Sequence, residues 1–341
     1  MRIPCKGIVR FPEERVRYEV ATMRYISANT SIPLPKVYHS GTAAENPTGL
    51  GPFVIMKYVD HERTMSEALK DPTLNSDEDH VLDPDIGEQK LEFLYGQMAN
   101  IMLQLSALAF PRIGSLVQDA DGRFTVSGRP HPEHELFHVA SPSRLFCEDL
   151  RPSNVLIDKD LRVVGVIDWE FTYAAPSQCT SDPPWWLLLQ RPESWPGGYG
   201  PWMEAYKPRL ETFLRVLDGE ERNMASSSGN VDNAASPSLS RDLQPPLSLQ
   251  MRESWEKQTF MISYAARNSW VFDFIFWRYL DGRYFGPNED GDYRARLDLL
   301  TQQELEAMEA LVKMKMEQRE ERTLVTLDDD DAAAQLTKFM I

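Results

Sequence analysis

Cationic side chains, cysteines and long apolar runs are all scarce in this chain of 341 residues, and each shortage removes a class of function. Lys and Arg number 36 against 52 Asp and Glu, a formal net charge of −16. A nucleic-acid binder needs a basic face to meet the phosphate backbone, so no nucleic-acid partner is expected. Part of the acidity is local, a run from Asp328 to Asp331 in a tail that reads as solvated. The rest would suit a cationic or amine-bearing small molecule by electrostatic focusing, or serve solubility alone. Three cysteines, Cys5, Cys147 and Cys179, are odd in number and widely spaced, which implies neither a disulfide framework nor a zinc pair. No apolar run approaches the ~20 residues of a membrane span. The opening Met-Arg-Ile-Pro-Cys-Lys-Gly lacks the apolar core of a signal peptide. A reduced, cytoplasmic protein is the expectation, with no membrane partner and an open oligomeric state.

What is present is concentrated in residues 147–170. Asp149 and Asn154 form an Asp-x-x-x-x-Asn element, followed by two apolar runs, Val155–Ile157 and Val163–Ile167, and then by Asp168-Trp169-Glu170. The runs predict two short paired strands joined by a turn at Lys159-Asp160. Asn154 would then sit just before the first strand and Asp168 just after the second, close in space. Phosphoryl transfer from a nucleotide needs these residue types in this order. One carboxylate takes the proton of the attacking hydroxyl, while an amide and a second carboxylate hold the metal ions that bridge the phosphates.

Elsewhere the pattern is mainly helical. Pro12-Glu13-Glu14 followed by Val16, Val20, Met23 and Ile26 predicts an amphipathic helix, ended by Asn29-Thr30-Ser31 and the break at Pro33 and Pro35. Val37-Tyr38 and Phe53–Tyr58 read as strands. Leu91, Leu94, Tyr95, Met98, Ile101, Met102, Leu105 and Leu108 lie on one face of a core helix. A helix is expected around Trp202–Leu217, and an aromatic one through Trp255, Phe260, Tyr264, Trp270, Phe274 and Trp277. A last helix should span about residues 303–319.

The motif at 147–170 resembles the catalytic loop and metal-binding Asp of the protein-kinase-like superfamily, in particular its aminoglycoside phosphotransferase and choline kinase branch. The words Asp149-Leu-Arg-Pro-Ser-Asn154 and Val166-Ile-Asp-Trp-Glu-Phe-Thr-Tyr-Ala-Ala-Pro176 are similar to fungal proteins of that family. The resemblance implies an α+β, protein-kinase-like two-lobed fold with a truncated N-terminal β-lobe and a large, mainly helical C-terminal lobe. It divides the chain into 1–58 (third strand, helix, hinge strand), a catalytic lobe at 59–319 with a flexible insertion at about 220–246, and an acidic tail at 320–341.

The roles it implies are a general base at Asp149, a phosphoryl-neutralising cation at Arg151 and Mg²⁺ ligands at Asn154 and Asp168. Arg2 falls at the position of the phosphate-anchoring cation and Glu19 at its carboxylate partner. Met56 and Tyr58 border the adenine of ATP through backbone groups. Two departures stand out. Cys147 replaces the usual loop His, and a thiol with no nearby His in the loop is not set up as a nucleophile. The 18 residues before Glu19 hold one glycine, Gly7, where kinases place a Gly-rich hairpin over the phosphates. Two other functions follow from these observations: a catalytically impaired kinase-shaped binding module, and a zinc peptidase through His134, Glu135 and His138. Pro130, Pro132 and Pro142 confine any helix at the His-Glu-x-x-His to about two turns, short for the active-site helix such enzymes use.

Overall fold

A short extended segment, one helix and two strands build the N-terminal sheet around a shared apolar core. In the computed structural model, which describes residues 1–4, 11–74, 80–128, 143–228, 245–268, 271–288 and 292–320, helix α1 spans Pro12–Asn29. Pro12 occupies the first turn, where its missing N–H costs nothing, and Glu13 and Glu14 favour the positive end of the helix. At the other end the Thr30 N–H and hydroxyl both donate to the Ile26 carbonyl (2.9 and 2.8 Å). Strands β1 (Val37–Gly41) and β2 (Phe53–Met56) run antiparallel. Arg2 lines the other edge of β2 by exchanging two backbone hydrogen bonds with Val54 (2.8 and 3.0 Å). Val54 is fully buried against Val16 and Val20 of α1, so the helix and the Arg2 segment are held to one sheet.

The next elements frame the loop of interest. Strand β3 (Arg63–Thr64) leads into α2 (Met65–Leu69), whose start is fixed by a reciprocal Thr64–Glu67 capping box. Helix α3 (Glu88–Ser106) buries Leu91, Leu94, Tyr95, Met98 and Leu105 on the predicted face. Strands β4 (Ala109–Phe110), β5 (Ser115–Gln118), β6 (Phe124–Gly128), β7 (Ser143–Cys147), β8 (Val155–Ile157), β9 (Val163–Val166) and β10 (Thr172–Pro176) follow, then α4 (Ser177–Thr180). They pair as a β10-β7-β4 sheet, a β3-β8-β9 sheet and a β5-β6 ribbon. The β8–β9 hairpin is the predicted pair. Its turn places Leu161 at φ 62, and Gln97 of α3 clamps it, donating to the Leu161 carbonyl and accepting from the Val163 N–H (both 2.8 Å).

Helix α5 runs from Tyr199 to Ser228, past residue 220, where a flexible insertion was expected to begin. Most of that insertion, residues 229–244, lies outside the described residues, as do the acidic run and the His134/Glu135/His138 motif. The aromatic stretch is several helices rather than one: α6 (Leu247–Glu256), α7 (Thr259–Arg267), α8 (Phe272–Ile275) and α9 (Asp281–Phe285). Gln258 adopts a left-handed conformation (φ 58) and turns the chain between α6 and α7. The turn stacks Trp255 on Phe260 (5.0 Å between ring centroids) and sets Trp255 5.3 Å from Tyr206, itself stacked on Trp202 at 4.2 Å. Helix α10 spans Gln302–Glu320.

Residues from 271 onward belong to a second compact unit, in which buried Asp281 is held by Arg296 (2.6 Å) and Asn288 (3.0 Å). The architecture is α+β, with small sheets concentrated toward the N-terminus and a larger helical portion after them. Among the described residues no helix is long and apolar enough to cross a membrane.

Candidate active site

The segment from Glu148 to Asn154 joins β7 to β8 and ends in a short 3₁₀ turn, Pro152–Asn154. Asn154 is buried, and its amide donates to both the backbone carbonyl and the Oδ2 of Asp149 (2.8 Å each). The sequence therefore folds the loop back on itself: the residue that closes it also fixes the carboxylate that opens it. Arg151 lies over the other oxygen, Nε 2.9 Å from Oδ1, in an ion pair too poorly aligned to be a hydrogen bond. Burial pushes the Asp149 carboxyl above the ordinary range, and the like charge of Asp168 adds to this. Arg151, Asn154 and Arg191 pull the other way.

The β8–β9 ladder carries the second half of the site. Ile167 N–H donates to the Asn154 carbonyl (2.9 Å), extending the hairpin one step and bringing Asn154 beside Asp168. Asp168 itself sits in the left-handed region (φ 66), one of the few places where a non-glycine residue does so, and Asp tolerates it better than most. Its Oδ1 is 2.7 Å from Arg2. The same guanidinium reaches buried Glu19 of α1 at 2.5 Å and Glu170 at 2.9 Å. Arg15 of α1 completes the cluster, 2.8 Å from Glu170 and 4.2 Å above the Phe171 ring. Burial opposes the charge on Arg2, but Glu19, Asp168 and Glu170 outweigh it and raise its pKa. Glu19 is pushed up to about 7 by burial, despite Arg2.

The sequence-derived site residues thus separate into two groups. Asp149, Arg151, Asn154, Asp168, Arg2 and Glu19 are linked by the contacts above. Met56 ends β2, and Tyr58 lies largely exposed two residues on. Their segment does approach the hairpin: a Cβ built on Gly165 of β9 would come within 3.0 Å of Val59. Cys147 is buried with its thiol pushed up to about 12 by burial, which leaves it protonated and inert. Three residues were not singled out from the sequence. Arg191, 4.7 Å above the Trp185 ring, acts electrostatically on Asp149. Glu148 and Arg267 pair at 3.0 Å behind the loop. They carry no spacing signal, because the pairings of Arg191 with Asp149 and of Glu148 with Arg267 each span more than forty residues.

The donor chemistry fits a hard divalent cation. With the Asn154 amide nitrogen committed to Asp149, its carbonyl oxygen is the atom left to face a metal, and Asp168 adds a carboxylate with one oxygen on Arg2. Among the described residues no cluster of three His, Cys, Asp or Glu forms a metal cage. Two protein oxygens with the remainder from substrate is how Mg²⁺ is commonly held.

Residues 7–178, half of the chain, match the model of the phosphotransferase enzyme family. The chain belongs to that family. The matched span takes in Glu19, the loop from Asp149 to Asn154, and Asp168, while Arg2 precedes it. A crystal structure of a provisionally named aminoglycoside phosphotransferase from Ralstonia eutropha JMP134 is similar at 12% identity, covering 71% of this chain and 84% of its own, with a TM-score of 0.31. No curated protein matches the chain. Within that span, the backbone bond from Ile167 to Asn154 brings the Asp149–Asn154 loop beside Asp168.

Proposed function

We propose that the chain transfers the γ-phosphoryl group of ATP, with Mg²⁺, to a hydroxyl of a small molecule. The observation that carries this reading is the Asn154–Asp149 hydrogen bond (2.8 Å) one ladder step from Asp168, itself tied to the Arg2–Glu19 pair. Asp149 accepts the proton of the attacking hydroxyl. Its raised pKa makes it a stronger base than an exposed carboxylate. The bond from Asn154 restricts rotation of the Asp149 carboxylate. Arg2, braced from behind by buried Glu19, is placed to hold phosphate oxygens. Arg151 lies close enough to Asp149 to neutralise charge that develops on the transferring group. Asn154 and Asp168 would hold the metal, which would supply positive charge to offset that of the phosphates. Backbone groups at Met56 and Tyr58 border the adenine.

The test is linkage. At a Mg·ATP concentration near a hundred times Kd, stabilisation of about 2.7 kcal/mol is expected, a rise in melting temperature of roughly 5 °C. A folded protein whose melting temperature ignores saturating Mg·ATP would remove the proposal. If Mg·ATP binds but no phosphate is transferred to water or to a panel of polyols and amino alcohols, the kinase-shaped binding module becomes the better reading.

A further inference from the structure

The loop is held from behind as well as from in front. Glu148, the residue before Asp149, turns its carboxylate away from the site into a buried cluster. There it accepts from Arg267 (3.0 Å) and from the Tyr173 hydroxyl (2.9 Å), while its backbone N–H donates to Phe171 (3.2 Å). Arg267 is 7% exposed, lies 5.0 Å above the Phe146 ring, and uses its other terminal nitrogen on Asp182 (2.8 Å). Asp182 is itself buried and accepts from Ser254 (3.4 Å). One guanidinium therefore ties together β7, β10, the segment after α4, and α6.

Arg267 is the last residue of α7, and the stacked Trp202, Tyr206, Trp255 and Phe260 rings hold that helix start in place. Beside the cluster lies a cavity of about 70 Å³ lined by Cys147, Glu148, Leu150, Cys179 and Arg267 among others. The loop thus has space beside it, and the Glu148–Arg267 bond is one of the contacts that hold its start on that side. A buried ion pair is weak evidence for stability, but a polar network whose members are hydrogen-bonded rigidifies the groups it joins.

We infer that Arg267 is a positioning residue for phosphoryl transfer, acting through Glu148 to hold Asp149 in line with the acceptor hydroxyl. This rests on the reading of Asp149 as the base. Arg267 touches none of the reacting groups, and a helix whose sequence reads as packing material would set the geometry of the chemistry.

Arg267→Lys in the full chain is the first variant, since it keeps the charge and gives up the two-pronged reach. Tyr173→Phe is the second, removing only Glu148's other anchor. Hydrogen exchange is measured across the chain, with phosphate release from Mg·ATP to water as the kinetic readout. Expected for Arg267→Lys is faster exchange confined to residues 147–151, unchanged KM for ATP and a turnover lowered about 10–100-fold, the cost of a misplaced base. Tyr173→Phe should move the same amides by less. Unchanged exchange at 147–151 in both variants overturns the inference. So does a loss of protection spread evenly through β8, β9 and α3, which would make Arg267 a general stabiliser. A wild-type protein that ignores Mg·ATP counts against the proposed function instead, and the exchange pattern still decides whether Arg267 anchors the loop.

Discussion

Two ion-pair clusters, each an arginine among carboxylates, flank the same loop and are built differently. In front, the Arg2 guanidinium is 33% exposed and serves three carboxylates, Asp168 at 32%, Glu170 at 16% and buried Glu19 at 4%. Behind, the Arg267 guanidinium is 7% exposed, with Asp182 at 8% and Glu148 at 22%, and each of its two terminal nitrogens has one carboxylate. Charges about a third exposed can trade partners at low cost, because water compensates whatever is released. Sealed charges cannot, because an unpaired ion in a buried site costs several kcal/mol. On the proposed function, the Arg2 guanidinium would be free to exchange partners, while the Arg267 guanidinium would act as a fixed support. The same residue types serve both purposes, and solvent access separates them.

The comparison can be broken most directly at the residue between the two clusters. Asp149→Asn should lower turnover by about 10²–10⁴-fold, the usual contribution of a general base. The Mg·ATP-induced shift in melting temperature should survive. Loss of the shift along with activity would mean that Asp149 supports the nucleotide site rather than the chemistry. Next, Arg267→Met should destabilise the protein by about 3–5 kcal/mol by stranding Glu148 and Asp182, while Arg2→Met should cost less than about 2 kcal/mol. Denaturant unfolding of both variants measures this, and the reverse order would erase the distinction between the clusters.

A pH series sharpens the same point. Glu19 (about 7) and Asp182 (about 6) both hold their protons more tightly folded than unfolded. Stability should therefore fall as pH rises from roughly 4 to 7, on the order of 1–3 kcal/mol for each group. Glu19→Gln should flatten the upper part of that fall and leave the part due to Asp182. A melting temperature that instead climbs over this window would mean that Arg2 keeps Glu19 ionised. The smallest effect is expected at Cys147→Ala, a stability loss of about 1 kcal/mol with turnover retained, because its thiol is buried and protonated. A large loss of turnover there would give the thiol a role that its burial argues against.

How far the site could be read in advance follows from the range of each interaction. Asp149, Asn154 and Asp168 were legible because a loop and a hairpin put them within twenty residues of one another, and alternation of apolar residues fixes a hairpin's register locally. The ends of α1 and the burial of α3 were legible for the same reason, proline and threonine at one and a repeating apolar face at the other. The division of the aromatic stretch was not. A left-handed Gln258 is chosen by the packing of Trp255 on Phe260, and nothing in the local sequence demands it.

Sequence by itself offered the candidate chemistry: a base, an amide and a carboxylate for a metal at short spacing, and, through the resemblance, a distant cation for phosphate at Arg2. Tertiary structure decided which charges are free to move. Arg2 and Arg267 are the same residue in similar acidic company, and only the fold leaves one at the solvent edge and seals the other under Phe146. Desolvation, which depends on everything packed around a group and on nothing in its immediate sequence, is what made them different.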